Sequence, residues 1–325
     1  MTFGRGGRIL PMSTPGSLLG LRDLGREYIT AILDRAEELL PVVDGQSGPD
    51  VAGSLPAVVG LLFLEDSTRT RGSFEIAVHR LGHRPVTLTG GGSSASKGES
   101  LLDTAKNLVA MGSQAIVVRT SRSGGASHLD TDLDVPIINA GDGRHEHPTQ
   151  ALLDASTLRF RLGSLEGKRI AIVGDVLNSR VARSNIYALH ALGAQVLLVG
   201  PPSLVPWRLA DMLSGGDRPI LVAHDFDAIL DSVDAVMMLR IQRERDAGRA
   251  ISADYRHAFG MTVDRAARLG TEVPILHPGP VNRGVELDDA VLDRLDRSLV
   301  LEQVRRGTAV RMSVLARALA EPVGI

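Results

Sequence analysis

Short apolar runs, many of them rich in β-branched residues, alternate with segments of helical hydrophobic spacing along most of the chain. In the first half the strand segments are AVVGLLFL, RPVTLT, QAIVVR and VPIINA, and in the second half they are KRIAIVGD, QVLLVGP, DAVMMLRI and the start of EVPILHPGP. A continuous apolar run such as AVVGLLFL is typical of a strand that is buried on both faces. Because strands that alternate with helices form parallel sheets covered on both sides, we predict an α/β fold.

The alternation occurs in two sets, which predicts two domains, each with a mainly parallel sheet and helices on both faces. A chain of 325 residues is long enough for two cores of ordinary size. The long predicted helix HPTQALLDASTLRFRLG lies between the sets, and we place the boundary inside it, with domains at residues 1–152 and 153–304. The terminal helix, about residues 305–325, is expected to pack back on the first domain, so that long helices join the two domains.

Composition excludes several classes of protein. The formal net charge of −2 gives no general attraction to nucleic acids or anionic membranes, and no apolar run approaches the roughly 18 residues of a membrane helix. With a Cys count of 0, the chain has no disulfide, no thiol nucleophile and no cysteine metal site, which fits the cytoplasm. The first residues, MTFGRGGRILPMSTPGS, lack a long apolar stretch and are predicted to be a flexible lead-in, not a signal peptide.

The stretch EDSTRTRGSFE places hydroxyls and guanidiniums where a buried strand is predicted to end and a helix to begin. Ligands bind at the carboxyl ends of strands in open α/β sheets, and a helix N-terminus offers free N–H groups and a partial positive charge. Ser67, Thr68, Arg69 and Thr70 therefore form a candidate phosphate site, in which Arg69 adds bidentate recognition. A capped helix with a solvated arginine explains these residues equally well when they are considered alone.

Other basic or polar side chains follow other predicted strands. Near these strand ends lie Arg119, His147, Gln150, Arg180, Arg240 and Gln242. Each of them alone is better explained as a surface charge or a structural cap. Four basic strand ends across two domains nevertheless predict a pair of substrates with several negative charges. The glycine fingerprint of dinucleotide-binding folds is missing, which weakens a nucleotide-binding interpretation.

The turn HPGPVNRGVE follows the last predicted strand. A rigid structural turn is one interpretation of Pro278, Gly279 and Pro280, and exposed backbone carbonyls directed at an amino group are the other. We predict a cis peptide bond between Gly279 and Pro280, although only about 5–6% of X-Pro bonds in folded proteins are cis.

Together these segments resemble the aspartate/ornithine carbamoyltransferase family, in the family's order and from about Leu21 to the terminal helix. The motifs STRT and HPTQ are shared by both branches of the family, whereas SKGE and LRIQRER favour the aspartate branch. The ornithine enzymes have a cysteine where this chain has Gly279, and the enteric aspartate enzymes have a leucine there. In the family the contact at this position is made by the backbone, so the resemblance implies the same contact for a glycine.

The resemblance implies a role for each matching residue. The phosphate of carbamoyl phosphate would contact Ser67, Thr68, Arg69 and Thr70, and its carbonyl oxygen would contact Thr70, Arg119 and His147. The carbamoyl NH₂ group would bind Gln150 and the carbonyls of Pro278 and Gly279. Aspartate would bind Arg180, Arg240 and Gln242, together with Lys97, Gly279 and Pro280. Ser93 and Lys97 would come from an adjacent subunit, and the residues implied in catalysis are Arg69, Thr70, Lys97, Arg119 and His147.

The activity that the resemblance implies is transfer of the carbamoyl group of carbamoyl phosphate to the amine of L-aspartate, in de novo pyrimidine biosynthesis, by a homotrimer with shared active sites. We expect no cofactor and no metal ion. Whether the protein also binds regulatory or dihydroorotase subunits is left open. A different acceptor, such as ornithine, fits poorly with Arg180 and Arg240. A catalytically silent scaffold homologue would be expected to have lost Arg69, His147 or Lys97, and none of them is lost.

Overall fold

The computed structural model describes residues 14–47, 56–90, 99–213, 218–241, 254–293 and 296–320. Its first sheet is parallel and has the strand order β2-β1-β3-β4. The strands are β1 (Val58–Phe63), β2 (Arg84–Thr89), β3 (Ser113–Thr120) and β4 (Ile137–Asp142). The helices of this part of the chain are α1 (Arg26–Val43), α2 (Thr68–Arg80), α3 (Leu101–Ala110) and α4 (Gly125–Asp132).

The second sheet is also parallel and has the strand order β7-β6-β5-β8-β9. Its strands are β5 (Arg169–Val173), β6 (Gln195–Val199), β7 (Leu221–Ala223), β8 (Ala235–Met238) and β9 (Ile275–Leu276). The helices that accompany it are α6 (Arg180–Ala191), α7 (Arg208–Leu213), a 3₁₀ helix (Asp227–Ser232), α8 (Tyr255–Phe259), α9 (Val263–Arg268) and α10 (Asp289–Leu292).

The predicted α/β class, with two parallel sheets flanked by helices, is confirmed. The hydrophobic pattern did not predict β7, the 3₁₀ helix or the helices α7 to α10. These elements have only 3 to 6 residues each. Segments this short do not complete enough of a hydrophobic period to be distinguished from loops.

The apolar run of β1 is continuous because both faces of this strand are buried. Leu62 packs with Leu108 in one core cluster, whereas Leu61 and Phe63 belong to a second cluster that continues into the other sheet. Successive side chains of a strand point to opposite faces, so alternate residues of the same run enter different clusters. A strand with one solvated face would instead show apolar and polar residues in alternation.

Two long helices lie between the sheets, α5 (Pro148–Leu162) and α11 (Val300–Ala320). The helix α11 packs against α1, α2 and α5, and α5 also packs against α6. Every residue of α5 from Pro148 to Leu158 is buried, so its polar side chains need partners inside the protein. Within the described parts of the chain, no helix combines the length and the apolar character that a membrane span requires.

Arg306 on α11 is almost fully buried and joins several elements. Its Nε donates to Glu302 Oε1 at 2.8 Å, its Nη1 donates to Glu37 Oε2 at 2.6 Å, and its guanidinium carbon lies 4.2 Å from the ring centroid of Phe160. The neighbouring Arg305 also pairs with acidic side chains, but its own side chain is 37% exposed. The two adjacent arginines therefore allow a comparison of a buried guanidinium with a half-exposed one.

We expect Arg306→Ala to lower the free energy of unfolding by about 2–4 kcal/mol, because it removes charge-assisted hydrogen bonds and packing in a buried place. Arg305→Ala is the matched control, and its cost should stay at about 0–1 kcal/mol because exposed ion pairs contribute little. Urea unfolding followed by circular dichroism measures both values. Equal losses for the two variants would contradict this distinction between the two arginines.

Candidate active site

Residues at the ends of strands in both sheets line one cavity of about 640 Å³. The first sheet contributes residues at or after the ends of β1, β3 and β4, and the second contributes residues after β5, β8 and β9. The cavity brings together these residues singled out by the sequence analysis: Ser67, Thr68, Arg69, Thr70, Arg119, His147, Gln150, Arg180, Arg240, Pro278, Gly279 and Pro280. The predicted site residues Ser93, Lys97 and Gln242 lie outside the described residues.

The N-terminus of α2 supplies hydroxyl and N–H groups to the cavity. Ser67 is the N-cap residue, with extended backbone angles of φ −161° and ψ 94°, and its side chain makes no capping hydrogen bond. The cap therefore leaves N–H groups of the first turn for another acceptor, which favours an anion site over a simple capped helix. Burial and the nearby charge of Arg240 both lower the pKa of Arg69, so a negative ligand beside it would be stabilising.

The carboxylate of Glu65 lies between two cavity arginines. Its Oε2 accepts a hydrogen bond from Arg180 Nη2 at 2.8 Å and lies 3.5 Å from Arg119 Nε. Each guanidinium also donates to a backbone carbonyl at the end of β4 or just after it, Arg119 to Ala140 and Arg180 to Gly143, both at 3.2 Å. These bonds fix the orientation of the two side chains. Arg119 lies on β3 of the first sheet, whereas Arg180 begins α6, which follows β5 of the second sheet.

Both guanidiniums lie close to the backbone of Gly141, which has no side chain to obstruct them. The residue has φ +115°, and a Cβ atom placed on it would lie 3.1 Å from Arg180 Cζ and 3.3 Å from Arg119 Nη1. A side chain here would therefore be strained by the backbone angle and would crowd both guanidiniums. The glycine allows the two arginines to lie directly against the end of β4.

His147 is buried at the N-cap position of α5. Its backbone N–H donates to Ser184 Oγ at 2.9 Å, and that hydroxyl donates to Glu146 Oε2 at 2.8 Å. Burial, followed by the charges of neighbouring arginines, holds the pKa of His147 well below its usual value. The imidazole is therefore neutral at physiological pH, and it offers one N–H donor in a fixed place.

The HPGP turn follows β9, and its Gly279–Pro280 peptide bond is cis, as predicted. The backbone N–H of Gly279 donates to His277 Nδ1 at 2.8 Å, and the backbone N–H of His277 donates to Gln303 Oε1 at 3.0 Å. Burial, together with the charges of Arg69 and Arg240, lowers the pKa of His277 to about 3. The neutral imidazole can therefore accept the bond that holds the turn.

The loop that carries Arg240 is tied to the segment that follows the HPGP turn. Ile241 donates its backbone N–H to Glu286 Oε1 at 2.7 Å, and Asn282 donates its backbone N–H to Oε2 of the same carboxylate at 2.8 Å. Glu286 is fully buried. A single buried carboxylate thus holds together two loops that both contribute to the cavity.

Several cavity residues were not identified from the sequence. They include Glu65, Asp66, Ser73, His277, Gln303 and Arg311. Arg311 is buried, and burial lowers its pKa to about 10, opposed by the charge of Asp154. In the sequence, Arg311 stands among apolar residues of the terminal helix. An arginine on the exposed face of an amphipathic helix gives the same pattern, so the pattern does not indicate a cavity residue.

The arrangement suits two anionic ligands held in contact. Five guanidiniums lie around the cavity, those of Arg69, Arg119, Arg180, Arg240 and Arg311. The helix N-terminus and arginines can bind phosphate or carboxylate groups, and a neutral histidine can donate to a developing oxyanion. Among the described residues, no group of His, Asp and Glu side chains could hold a metal ion.

Two family models together match most of the chain. Residues 17–160 match the aspartate/ornithine carbamoyltransferase carbamoyl-P binding domain, and residues 166–318 match the Asp/Orn binding domain of the same enzymes. A relative from Myxococcus xanthus, an aspartate carbamoyltransferase catalytic subunit, is 50% identical over 92% of this chain and 97% of its own length.

Solved structures agree with these matches. Aspartate transcarbamoylase from Trypanosoma cruzi in complex with carbamoyl aspartate and phosphate is 30% identical, with a TM-score of 0.84 over 94% of this chain and 97% of that chain. The catalytic subunit of M. jannaschii aspartate transcarbamoylase is 32% identical, with a TM-score of 0.82 over 94% and 98% of the two chains. This chain belongs to the aspartate/ornithine carbamoyltransferase family.

Proposed function

We propose that this protein transfers the carbamoyl group of carbamoyl phosphate to the amine of L-aspartate, giving N-carbamoyl-L-aspartate and phosphate, in de novo pyrimidine biosynthesis. The observation that carries the proposal is one cavity that joins the N-terminus of α2 and Arg69 to Arg180 and Arg240. The first group suits a phosphate, and the second suits a dicarboxylate. The solved relative that holds carbamoyl aspartate and phosphate supports the same pair of ligands.

Carbamoyl phosphate would lie on the side of the first sheet. Ser67, Thr68, Arg69 and Thr70 would hold its phosphate, and Thr70, Arg119 and His147 would contact its carbonyl oxygen. Gln150 and the carbonyls of Pro278 and Gly279 would accept hydrogen bonds from its NH₂ group. Aspartate would bind Arg180, Arg240 and Gln242, and the acceptor amine would then face the carbamoyl carbon.

In the reaction the amine of aspartate attacks the carbamoyl carbon, and a tetrahedral oxyanion forms. The bond between this carbon and the phosphate oxygen then breaks, phosphate leaves, and the leaving phosphate takes the proton of the amine. Arg119, Thr70 and the neutral His147 would donate to the oxyanion, and a single such donor typically contributes about 2.7–4 kcal/mol to the transition state. Because both substrates are anions, holding them together against entropy and repulsion is the other main contribution.

A homotrimer in the cytoplasm is part of the proposal. Ser93 and Lys97 would reach the phosphate side of a neighbouring subunit, and a head-to-tail contact of this kind closes into a ring. The domain division stays a prediction, with a carbamoyl phosphate-binding domain at residues 1–152, on which the terminal helix packs, and an aspartate-binding domain at residues 153–304. The packing of α11 against α1 and α2 supports the place given to the terminal helix.

The acceptor is tested by a carbamoyl transfer assay with aspartate and ornithine in parallel. We expect carbamoyl aspartate to form and ornithine to be inert, because Arg180 and Arg240 attract a dicarboxylate and repel a diamine. The bisubstrate analogue N-(phosphonacetyl)-L-aspartate should bind tightly and inhibit the reaction. Turnover with ornithine and none with aspartate would reverse the assignment of the acceptor.

His147→Ala should lower kcat by roughly 10²–10³, as expected for the loss of one oxyanion donor. The affinity for inorganic phosphate should change far less, because Arg69 and the N-terminus of α2 hold that group. His145→Ala is the matched control, since His145 is half-exposed, pairs with Asp142 and does not line the cavity. A folded His147→Ala enzyme with near-normal kcat would exclude this role.

The shared site is tested by mixing Lys97→Ala and His147→Ala subunits after dissociation and reassembly. If the site joins His147 of one chain to Lys97 of the next, random mixing makes about a quarter of the sites complete. Activity should therefore recover toward that level, although each variant alone is nearly inactive. A mixture of Arg69→Ala with His147→Ala is the control and should recover nothing, because both residues line the cavity of one chain. No recovery in the first mixture, with subunit exchange demonstrated, would place Lys97 in its own chain's site or in solvent.

A further inference from the structure

Asp154 is a fully buried carboxylate that lies beside the cavity and does not line it. It is on α5, about one helical turn after Gln150. Its Oδ1 accepts hydrogen bonds from Gln150 Nε2 at 2.9 Å and from Gln303 Nε2 at 2.7 Å, and its Oδ2 accepts one from Asn185 Nδ2 at 2.8 Å. Three amide NH₂ groups from α5, α6 and α11 therefore converge on one side chain.

The charge state of Asp154 decides what these amides can do. Burial raises the pKa of Asp154 to about 6, against the opposing effect of the three amide donors and Arg311. At neutral pH the group is therefore mainly a carboxylate, which accepts hydrogen bonds and cannot donate them. Each amide must turn its NH₂ end toward Asp154 and its oxygen away from it.

For Gln150 this orientation sets the chemistry of the cavity wall. Its NH₂ group is engaged by Asp154, while the residue itself lines the cavity. The carbonyl oxygen is turned away from Asp154, and it is the acceptor that this side chain can present to a ligand. An acceptor at this place matches an N–H donor of the ligand and does not match a methyl group or a second carbonyl.

The amide of Gln303 links Asp154 to the HPGP turn. The NH₂ group of Gln303 donates to Asp154, and its oxygen accepts the backbone N–H of His277 at 3.0 Å. This bond holds the first residue of the HPGP turn, in which the carbonyls of Pro278 and Gly279 follow. Reversal of the Gln303 amide would break the bond to His277.

We propose that Asp154 is the positioning residue that makes the site selective for a ligand with an amide NH₂ group over one with a methyl group. It does so by fixing the acceptor orientation of Gln150 and, through Gln303, the position of the turn carbonyls. The proposal deepens the function proposed above and rests on it, because the ligand amide is that of carbamoyl phosphate. Asp154 touches no substrate and transfers no proton in this role.

The substitution Asp154→Leu keeps a side chain of similar size and removes both acceptor oxygens. Gln150 then loses the partner that holds its NH₂ group, and this group becomes free to turn toward the ligand. Gln303 loses the partner that keeps its oxygen directed at His277. Either change would weaken binding of the ligand amide without altering the phosphate contacts at Arg69.

Two probes of nearly equal shape measure this selectivity. Phosphonoacetamide has the terminal amide, and acetonylphosphonate has a methyl group in its place. Isothermal titration calorimetry should show that the wild-type protein prefers the amide, and that Asp154→Leu loses about 10-fold of this preference, the effect of roughly one well-placed hydrogen bond. The Kd of inorganic phosphate should stay within about 2-fold of the wild-type value, because phosphate makes none of the affected contacts.

Thr157→Val is the matched control, since Thr157 is buried on the same helix and its hydroxyl donates to Leu153 O at 2.8 Å. It should keep the full preference for the amide. If Asp154→Leu does not fold, Gln303→Met tests the contact through Gln303, and the preference should again fall several-fold. A folded Asp154→Leu protein that keeps the wild-type preference, or one that loses phosphate and amide binding equally, would overturn the inference. Failure of the wild-type protein to bind phosphonoacetamide at all would instead count against the proposed function.

Discussion

Mutual repulsion among guanidiniums is the constraint on which the rest of this structure depends. Five arginines share one cavity, and two unit charges 4 Å apart interact by about 4 kcal/mol at an effective dielectric constant near 20. The fold offsets part of this repulsion with carboxylates, Glu65 between Arg119 and Arg180 and Asp154 near Arg311. The remaining positive potential opposes folding and at the same time provides affinity for anions, so anionic ligands stabilise the native state.

The same positive charges, together with burial, determine whether His147, His277 and Asp154 donate or accept hydrogen bonds. Burial and neighbouring arginines keep His147 and His277 neutral, so the first can donate to an oxyanion and the second accepts from Gly279. Asp154 stays ionised at neutral pH because three amides donate to it. The walls of the cavity are thereby divided into donors that face a carbonyl oxygen and acceptors that face an amine.

Three loops of the site are each held by a bond from a backbone N–H to a buried side chain of another segment. Ser184 holds His147, Gln303 holds His277, and Glu286 holds Ile241 next to Arg240. Loops anchored in this way keep their side chains in place before a ligand arrives, which is what electrostatic stabilisation of a transition state requires. The parallel sheets contribute by bringing these loops to the carboxyl ends of their strands.

The sequence by itself determined the α/β class and most of the candidate site, because continuous apolar runs, helical spacing and polar strand ends are local patterns. Arg69, His147 and the HPGP turn could be found in this way, whereas Glu65, Gln303 and Arg311 could not. Their roles depend on partners far away in the chain: Glu65 pairs with Arg180, and Gln303 joins Asp154 to His277. Only the tertiary structure decided these pairings, since burial and the distance between side chains set the strength of a charge or hydrogen bond, and neither is visible in local spacing.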